Sequence, residues 1–547
     1  VLNPQNAEEK VGASHPLFEI QIPFPVVMRK EHLILSGMLT LLLAEPSLSQ
    51  PLRGVCGTSL EDQLLFEPRL LDNLARSQDP LAVQERGSIQ YVPVHFHLVG
   101  NSGGKGRVAE ARVLDQLCAL NDAFAPMNIR FYLRPHPTHG SIFNYNINND
   151  NVYDNQTAWF TMQSQRHPNA INIYIVNQAT TSNNQPGVTL AYYSPQRDWI
   201  VCRKDQINGS KSNSTLPHEV GHFFSLQHTF FGWESQPFTP SSPSWPKAPA
   251  TSPGGSPTER MNGTNCTTAA DKICDTPPDY NFGFGATSCA YNGGAQDPLG
   301  VPVAPMVNNM MGYFNFCSEY VFTSQQRNAI LADRASSARN YLNNSFSPIA
   351  TEIITPPDLL IAPVGGVEVP FYDDVQVEWH PVNGAKYYLV EFDIVNSFSS
   401  SFAQYFVTSN TKLTVTTLLP NRLYQWRVRP FNEYVTCATA RQSNFRTPST
   451  SADREIAQLR RWYLTPNPFS PTAGAPQMTL ETHEAMEVEV HILDATGRVL
   501  YVQGGIYLSA GKHTLSLPAE VFSSTGIYWV VLQNPNGRSV KRLAAGR

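Results

Sequence analysis

The stretch Leu216-Pro217-His218-Glu219-Val220-Gly221-His222-Phe223-Phe224-Ser225-Leu226-Gln227-His228 leaves the chain little conformational choice. On an α-helix, residues four apart lie about 40° from one another, so His218 and His222 face one point. Glu219 falls within the same arc of about 100°. Two neutral imidazoles on one helical face suit Zn2+, and a non-ligating carboxylate beside them suits a general base. His228 can return as a third ligand once the helix has ended, leaving one tetrahedral position open for water. Ser214 and Thr215 can cap, and Pro217 falls in the first turn, so a long helix is expected over about 215–227. The plain alternative is a surface helix carrying unrelated histidines.

The rest of the chain supplies a setting. Its 547 residues predict three or four domains, and 41 % hydrophobic content excludes wholesale disorder. With 39 basic against 44 acidic residues, net charge −5, nucleic acid is not an expected partner. Tyr91–Val99 reads as a buried strand, and Val113, Leu117, Leu120 and Phe124 recur as one helical face. Further strands are expected at Ile129–Leu133, Ile171–Val176 and Trp199–Arg203. Strands interleaved with helices predict an α/β domain over 87–346, with a long loop from Gln236 to Thr258.

Met28-Arg29-Lys30, the apolar run Leu33–Leu43 and Ser47-Leu48-Ser49 read as a secretory signal over 28–49, cleaved before Gln50. Residues 1–27 then read as an over-extended start. No segment is long and apolar enough for a transmembrane span, and an exported protein is free to form disulfides. Two all-β sandwich domains are expected after the α/β domain. Over 357–448, Val375, Val377 and Trp379 alternate with polar residues, as do Tyr424, Trp426 and Val428. Over 460–547, Val488, Val490 and Ile492 alternate with Glu487, Glu489 and His491.

Three resemblances follow from these residues. The helical motif resembles the metzincin clan of zinc endopeptidases, with Ser225 where that clan places glycine at the turn. Asn309-Met310-Met311-Gly312-Tyr313, Cys317, Phe322-Thr323 and Cys274-Asp275-Thr276-Pro277 resemble the pappalysin family within it. This likeness implies His218, His222 and His228 as zinc ligands, Glu219 as base, Met311 as the Met-turn residue and Tyr313 as an oxyanion donor. It further implies disulfides Cys266–Cys289 and Cys274–Cys317, where spacing alone leaves three connectivities open. Structural calcium is implied near Asp271 and Asp275. Latent relatives carry a Cys-Gly zinc ligand in the prosegment, a role that falls here to Cys56 within 50–86, with an unpaired thiol or a bond to Cys202 as alternatives. Cys118 reads as a buried thiol. The segment 357–448 resembles a fibronectin type III domain through Trp379, Leu419-Pro420, Tyr424 and Trp426. The segment 460–547 resembles the C-terminal sorting domain of type IX secretion through Pro466-Asn467-Pro468-Phe469, Asp494, Gly497-Arg498 and Gly526-Ile527-Tyr528.

Together these imply a secreted or cell-surface zinc endopeptidase of a Gram-negative bacterium, exported through the periplasm by that machinery and acting on proteins or peptides. Its zinc-bound water would be activated by Glu219. Pappalysin relatives that prefer Arg or Lys after the scissile bond use an acid just before the Met-turn cysteine. Here that position holds Asn315 and Phe316, with Glu319 two residues beyond Cys317, so apolar P1′ residues are expected. Two other classes compete: a surface adhesin working through the fibronectin-like domain with a vestigial protease, and a structural zinc protein, whose site would be closed by four protein ligands.

Overall fold

The structure is a computed structural model describing residues 55–77, 88–149, 156–179, 189–210, 212–240, 246–449, 456–470, 474–495, 498–522, 525–535 and 537–546. The expected leader, 28–49, and the segment before it lie outside these residues. The chain is multidomain and rich in β-sheet. Among the described residues, no helix is long and apolar enough to cross a membrane.

The first sheet is assembled from β1 (Val55–Cys56), β2 (Gln90–Leu98), β3 (Ile129–Leu133), β4 (Phe143–Asn144), β5 (Ile171–Val176), β6 (Thr189–Ser194) and β7 (Trp199–Arg203). Its order is β1-β6-β7-β5-β2-β3, with β4 also on β2. Every pairing is parallel except β6 with β7. Helix α1 spans Leu60–Ser77, α2 Glu110–Phe124, α3 Gln156–Ser164, α4 Thr215–Phe223 and α5 Ser324–Arg334. The expected apolar face of α2 is fully buried at Val113, Leu117, Leu120 and Phe124, joining β2 to β3 as a parallel crossover needs. Helix α4, buried along its whole length, packs on β6 and β7.

Two elements differ from expectation. Helix α4 stops at Phe223, because Ser225 turns the chain left-handed at φ 67°. Its start is capped from outside, since Asn213 Oδ1 accepts from the Thr215 amide at 2.9 Å while Ser214 Oγ has no hydrogen-bond partner among the described residues. Helix α1 was not expected. It buries Gln63 and Asn73 along with Phe66 and Leu70, and leaves Leu64, Leu65 and Leu71 about half exposed.

Downstream, a three-stranded and a five-stranded sheet enclose Trp379, Trp426, Tyr424, Val390 and Phe392. The Tyr424 hydroxyl accepts from the Leu419 amide at 3.0 Å, bracing the turn at Pro420. Two further sheets enclose a separate core over residues 456–545. There Asn467 clasps the last strand through Arg542 O and the Ala544 amide, and Phe469 packs edge-on against Phe522. Asp494 accepts from Arg498 N and Nε. These residues thus hold a sandwich together whatever else they do.

The disulfides correct the expected pattern. The pairs are Cys266–Cys274, Cys289–Cys317 and Cys118–Cys437. Each of the first two closes a short local loop, which spacing alone did not select. Cys118 is no free thiol: it ties α2 to the first sandwich, where Arg429 also pairs with Asp115 at 2.6 Å and Leu133 N donates to Glu433 O. Cys202 and Cys56 are unbonded to each other, so that alternative is excluded.

Candidate metal centre

Helix α4 sets the first two donors one turn apart. His218 Nδ1 lies 2.8 Å from Met310 O, and His222 Nδ1 lies 2.7 Å from Leu226 O. Each carbonyl fixes its ring with the Nδ1–H outward, which turns the Nε2 lone pair inward. The left-handed step at Ser225 brings His228 back, with its Nε2 3.1 Å from that of His222. Two nitrogens on one tetrahedral zinc stand about 3.3 Å apart, so this spacing fits a shared ion.

Cys56 enters from β1. One donor atom from each of Cys56, His218, His222 and His228 falls within 4.8 Å of the others, the single such group among the described residues. Burial, and then the Glu219 charge, push the Cys56 thiol well above its usual range. His222 is held well below the usual imidazole range by burial, then by His228. Both shifts disfavour charge on the bare protein; a cation among these atoms would oppose the first by favouring thiolate and reinforce the second by favouring neutral imidazole. Four inward donors of N3S type therefore suit zinc.

The surroundings place further groups. Glu219 is buried, and its Oε2 accepts from Thr58 Oγ1 at 3.3 Å. Tyr313 OH accepts from the Cys56 amide at 3.0 Å and lies 3.5 Å from His228 Nε2. Segment 56–58 thus engages both the acid and the phenol. Met311 lies under α4, where a Cβ added at Gly221 would come within 2.5 Å of its sulfur. That glycine is needed for the close approach.

Several residues were missed from sequence. Glu234 Oε1 lies 3.3 Å from His228 Nδ1, and burial raises Glu234 to about 7. It backs the third histidine as carboxylates commonly back ligating imidazoles. Gln63 on α1, fully buried, donates to Glu234 Oε1 and accepts from the His228 amide, which leaves the His228 Nδ1–H to Glu234. Neither stands in a local motif, so only tertiary contact reveals them.

The expected specificity residues are spread out. Asn315 is buried and donates to Ala286 O at 2.7 Å, whereas Phe316 is part-exposed with φ 60°. Glu319 lines a cavity of about 200 Å3 with Asp122, Pro217 and Arg327, and none of the four clustered donors borders it. Of the acids singled out for calcium, Asp275 instead accepts from Thr323 Oγ1 and Gln325 N at the start of α5. Asp271 is buried near Glu259 and Asp279. Burial and then its acidic neighbours raise Glu259 to about 10, while burial chiefly raises Asp271 to about 8 and Asp279 to about 6.

No protein-family model matches the chain. Over 153 residues it is 29 % identical to an extracellular metalloprotease of Neurospora crassa, covering 26 % of this chain and 51 % of that one. Over 258 residues it is 26 % identical to an extracellular metalloprotease of Colletotrichum graminicola, covering 43 % and 73 %. The chain thus spans about half the length of the Neurospora relative. Among solved structures, the fn3 domain of human collagen alpha-1(XX) chain aligns with TM-score 0.15 and 22 % identity, covering 20 % of this chain and 96 % of that one. The FN1–FN3 domains of chicken CNTN1 align with TM-score 0.14 and 13 % identity, covering 35 % and 69 %. Over part of its length, the chain is a distant relative of fungal extracellular metalloproteases.

Proposed function

We propose that this chain is a secreted zinc endopeptidase of the pappalysin type in the metzincin clan, made as a latent precursor. The observation that carries the reading is the convergence of Cys56, His218, His222 and His228 on one point, with Glu219 and Tyr313 beside it. His218, His222 and His228 would hold zinc, and Cys56 would occupy its fourth position until the segment before the protease domain is removed. Zinc bound there supplies Lewis acidity for polarising a scissile carbonyl and acidifying a water. Glu219 accepts the proton of the attacking water and delivers it to the leaving amine. Tyr313 donates its hydroxyl to the developing oxyanion once the Cys56 amide has left it. Met311 serves as packing beneath the ligands.

The remaining roles rest on sequence resemblance, with support from the fold. The segment 357–448 is a fibronectin type III-like sandwich, and 460–547 directs export through the type IX machinery. Structural Ca2+ near Asp271 and Asp275 rests on the resemblance alone, because the described residues gather no three carboxylates into one metal-ligating group. The substrate pocket prefers apolar P1′ residues, since Glu319 borders a different cavity.

Casein hydrolysis and zinc content, measured for wild type and Glu219→Gln after removal of the leader segment, test the reading. The substitution is expected to leave zinc in place and lower turnover by about 10^3-fold. Equal activity in the two proteins contradicts it. For export, deletion of 460–547 is expected to leave active protease in the periplasm, and normal extracellular release contradicts that assignment.

A further inference from the structure

The burial of two amides on α1 has a particular cause. Gln63, fully buried, reaches behind the third histidine: its Nε2 lies 3.0 Å from His228 Nδ1 and donates to Glu234 Oε1 at 3.0 Å, while its Oε1 accepts from the His228 amide at 2.8 Å. Ten residues along, buried Asn73 donates to Ser225 Oγ at 2.9 Å and to Asp333 Oδ1 at 2.8 Å. Phe66 and Leu70 enter the main core between the two amides. At the rim, Glu67 meets Lys272 at 2.8 Å and Arg69 meets Asp333 at 3.0 Å. Both amides therefore read the turn 223–228. Ser225 is that turn's left-handed residue, a position that favours glycine. A side chain retained there is accounted for by the partner its hydroxyl finds on α1.

We propose that α1 is a second latch, separate from Cys56, and that the groove formed by the 225–228 turn, Glu234, Lys272 and Asp333 is its dedicated docking surface. The partner the groove fits is an amphipathic helix carrying amides ten residues apart with apolar side chains between them, which is this chain's own α1. This deepens the latency proposed above and rests on that reading for its purpose, though the docking itself does not depend on activity. Gln63 acts as a positioning residue on His228 through its Oε1, which accepts from the His228 amide, and through Glu234, which its Nε2 holds against Nδ1 on the side opposite the cluster. The latch therefore holds the helix in place with or without a ligand from Cys56.

Hydrogen exchange of the full-length chain tests it, with Glu219→Gln in every variant so that no protein cuts itself. Substituting Gln63→Ala with Asn73→Ala is expected to speed exchange over 60–77 at least about tenfold, because two buried donors and acceptors lose their partners. Ser225→Gly, which relaxes the turn and removes the hydroxymethyl group that Asn73 bonds, is expected to speed the same segment about fivefold while the rest of the core is unchanged; it reports even if the double variant folds poorly. Cys56→Ala is expected to change 60–77 by less than about twofold. Unchanged exchange over 60–77 in Ser225→Gly and the double variant overturns the latch, as does release of α1 by Cys56→Ala alone. Casein hydrolysis with Glu219 intact answers separately for the protease reading: a protein that never cleaves casein, yet frees α1 on these substitutions, keeps the latch and loses the protease.

Discussion

At the scale of single residues, the ligand geometry depends on two atoms of space. Gly221 lets Met311 approach α4 so closely that any Cβ meets its sulfur at 2.5 Å. Gly221→Ala should therefore cost about 1–3 kcal/mol by overpacking, measured by denaturant unfolding, and an unchanged midpoint would contradict the contact. Residue chemistry also fixes a pH response away from the site. His95, His97, His136, His139 and His167 cluster around β2, with ring centroids of His95 and His167 5.3 Å apart. Burial holds His95 down to about 3 and His167 to about 4. Their folded values lie below the unfolded value near 6.5, so the unfolded chain binds protons first as pH falls. Stability should then drop below about pH 6.5, by up to about 1.4 kcal/mol per pH unit for each group, until the folded values are reached. His95→Asn, whose amide can still donate to Arg134 O, should show a shallower fall in Tm between pH 7 and 4.5 by calorimetry. Parallel pH curves would rule this out.

At the scale of elements, what was legible in sequence is what is local. The pair His218 and His222 follows from helical periodicity, and so do the buried faces of α2 and the strands at 129–133, 171–176 and 199–203. Helix α1 was not legible, because its buried face mixes the amides Gln63 and Asn73 with Phe66 and Leu70 while its exposed side chains include leucines, which blurs the hydrophobic pattern. The disulfides failed for another reason: spacing carries no connectivity, and Cys118 and Cys437 are 319 residues apart. That bond joins α2 to the first sandwich across a loop long enough for cross-linking to contribute about 2–5 kcal/mol. Cys437→Ser should lower the unfolding midpoint accordingly while zinc content stays constant. A stability equal to wild type would show that Arg429–Asp115 and the Leu133–Glu433 pairing suffice.

At the scale of the whole molecule, the described residues present a blocked centre. Segment 56–58 engages Glu219 and Tyr313 while Cys56 faces the three histidines. Chelation should register in stability. After EDTA, zinc should restore thermal stability, because its four protein ligands join β1 to helix α4 and the 225–228 turn, and a Tm unmoved by zinc would contradict this. The most direct test of the central claim is zinc K-edge absorption on the full-length chain. One zinc per chain is predicted, with three imidazole nitrogens and one sulfur in its first shell, the sulfur replaced by oxygen in Cys56→Ala. A chain that retains no zinc, or whose zinc shell is the same with and without Cys56, would contradict it.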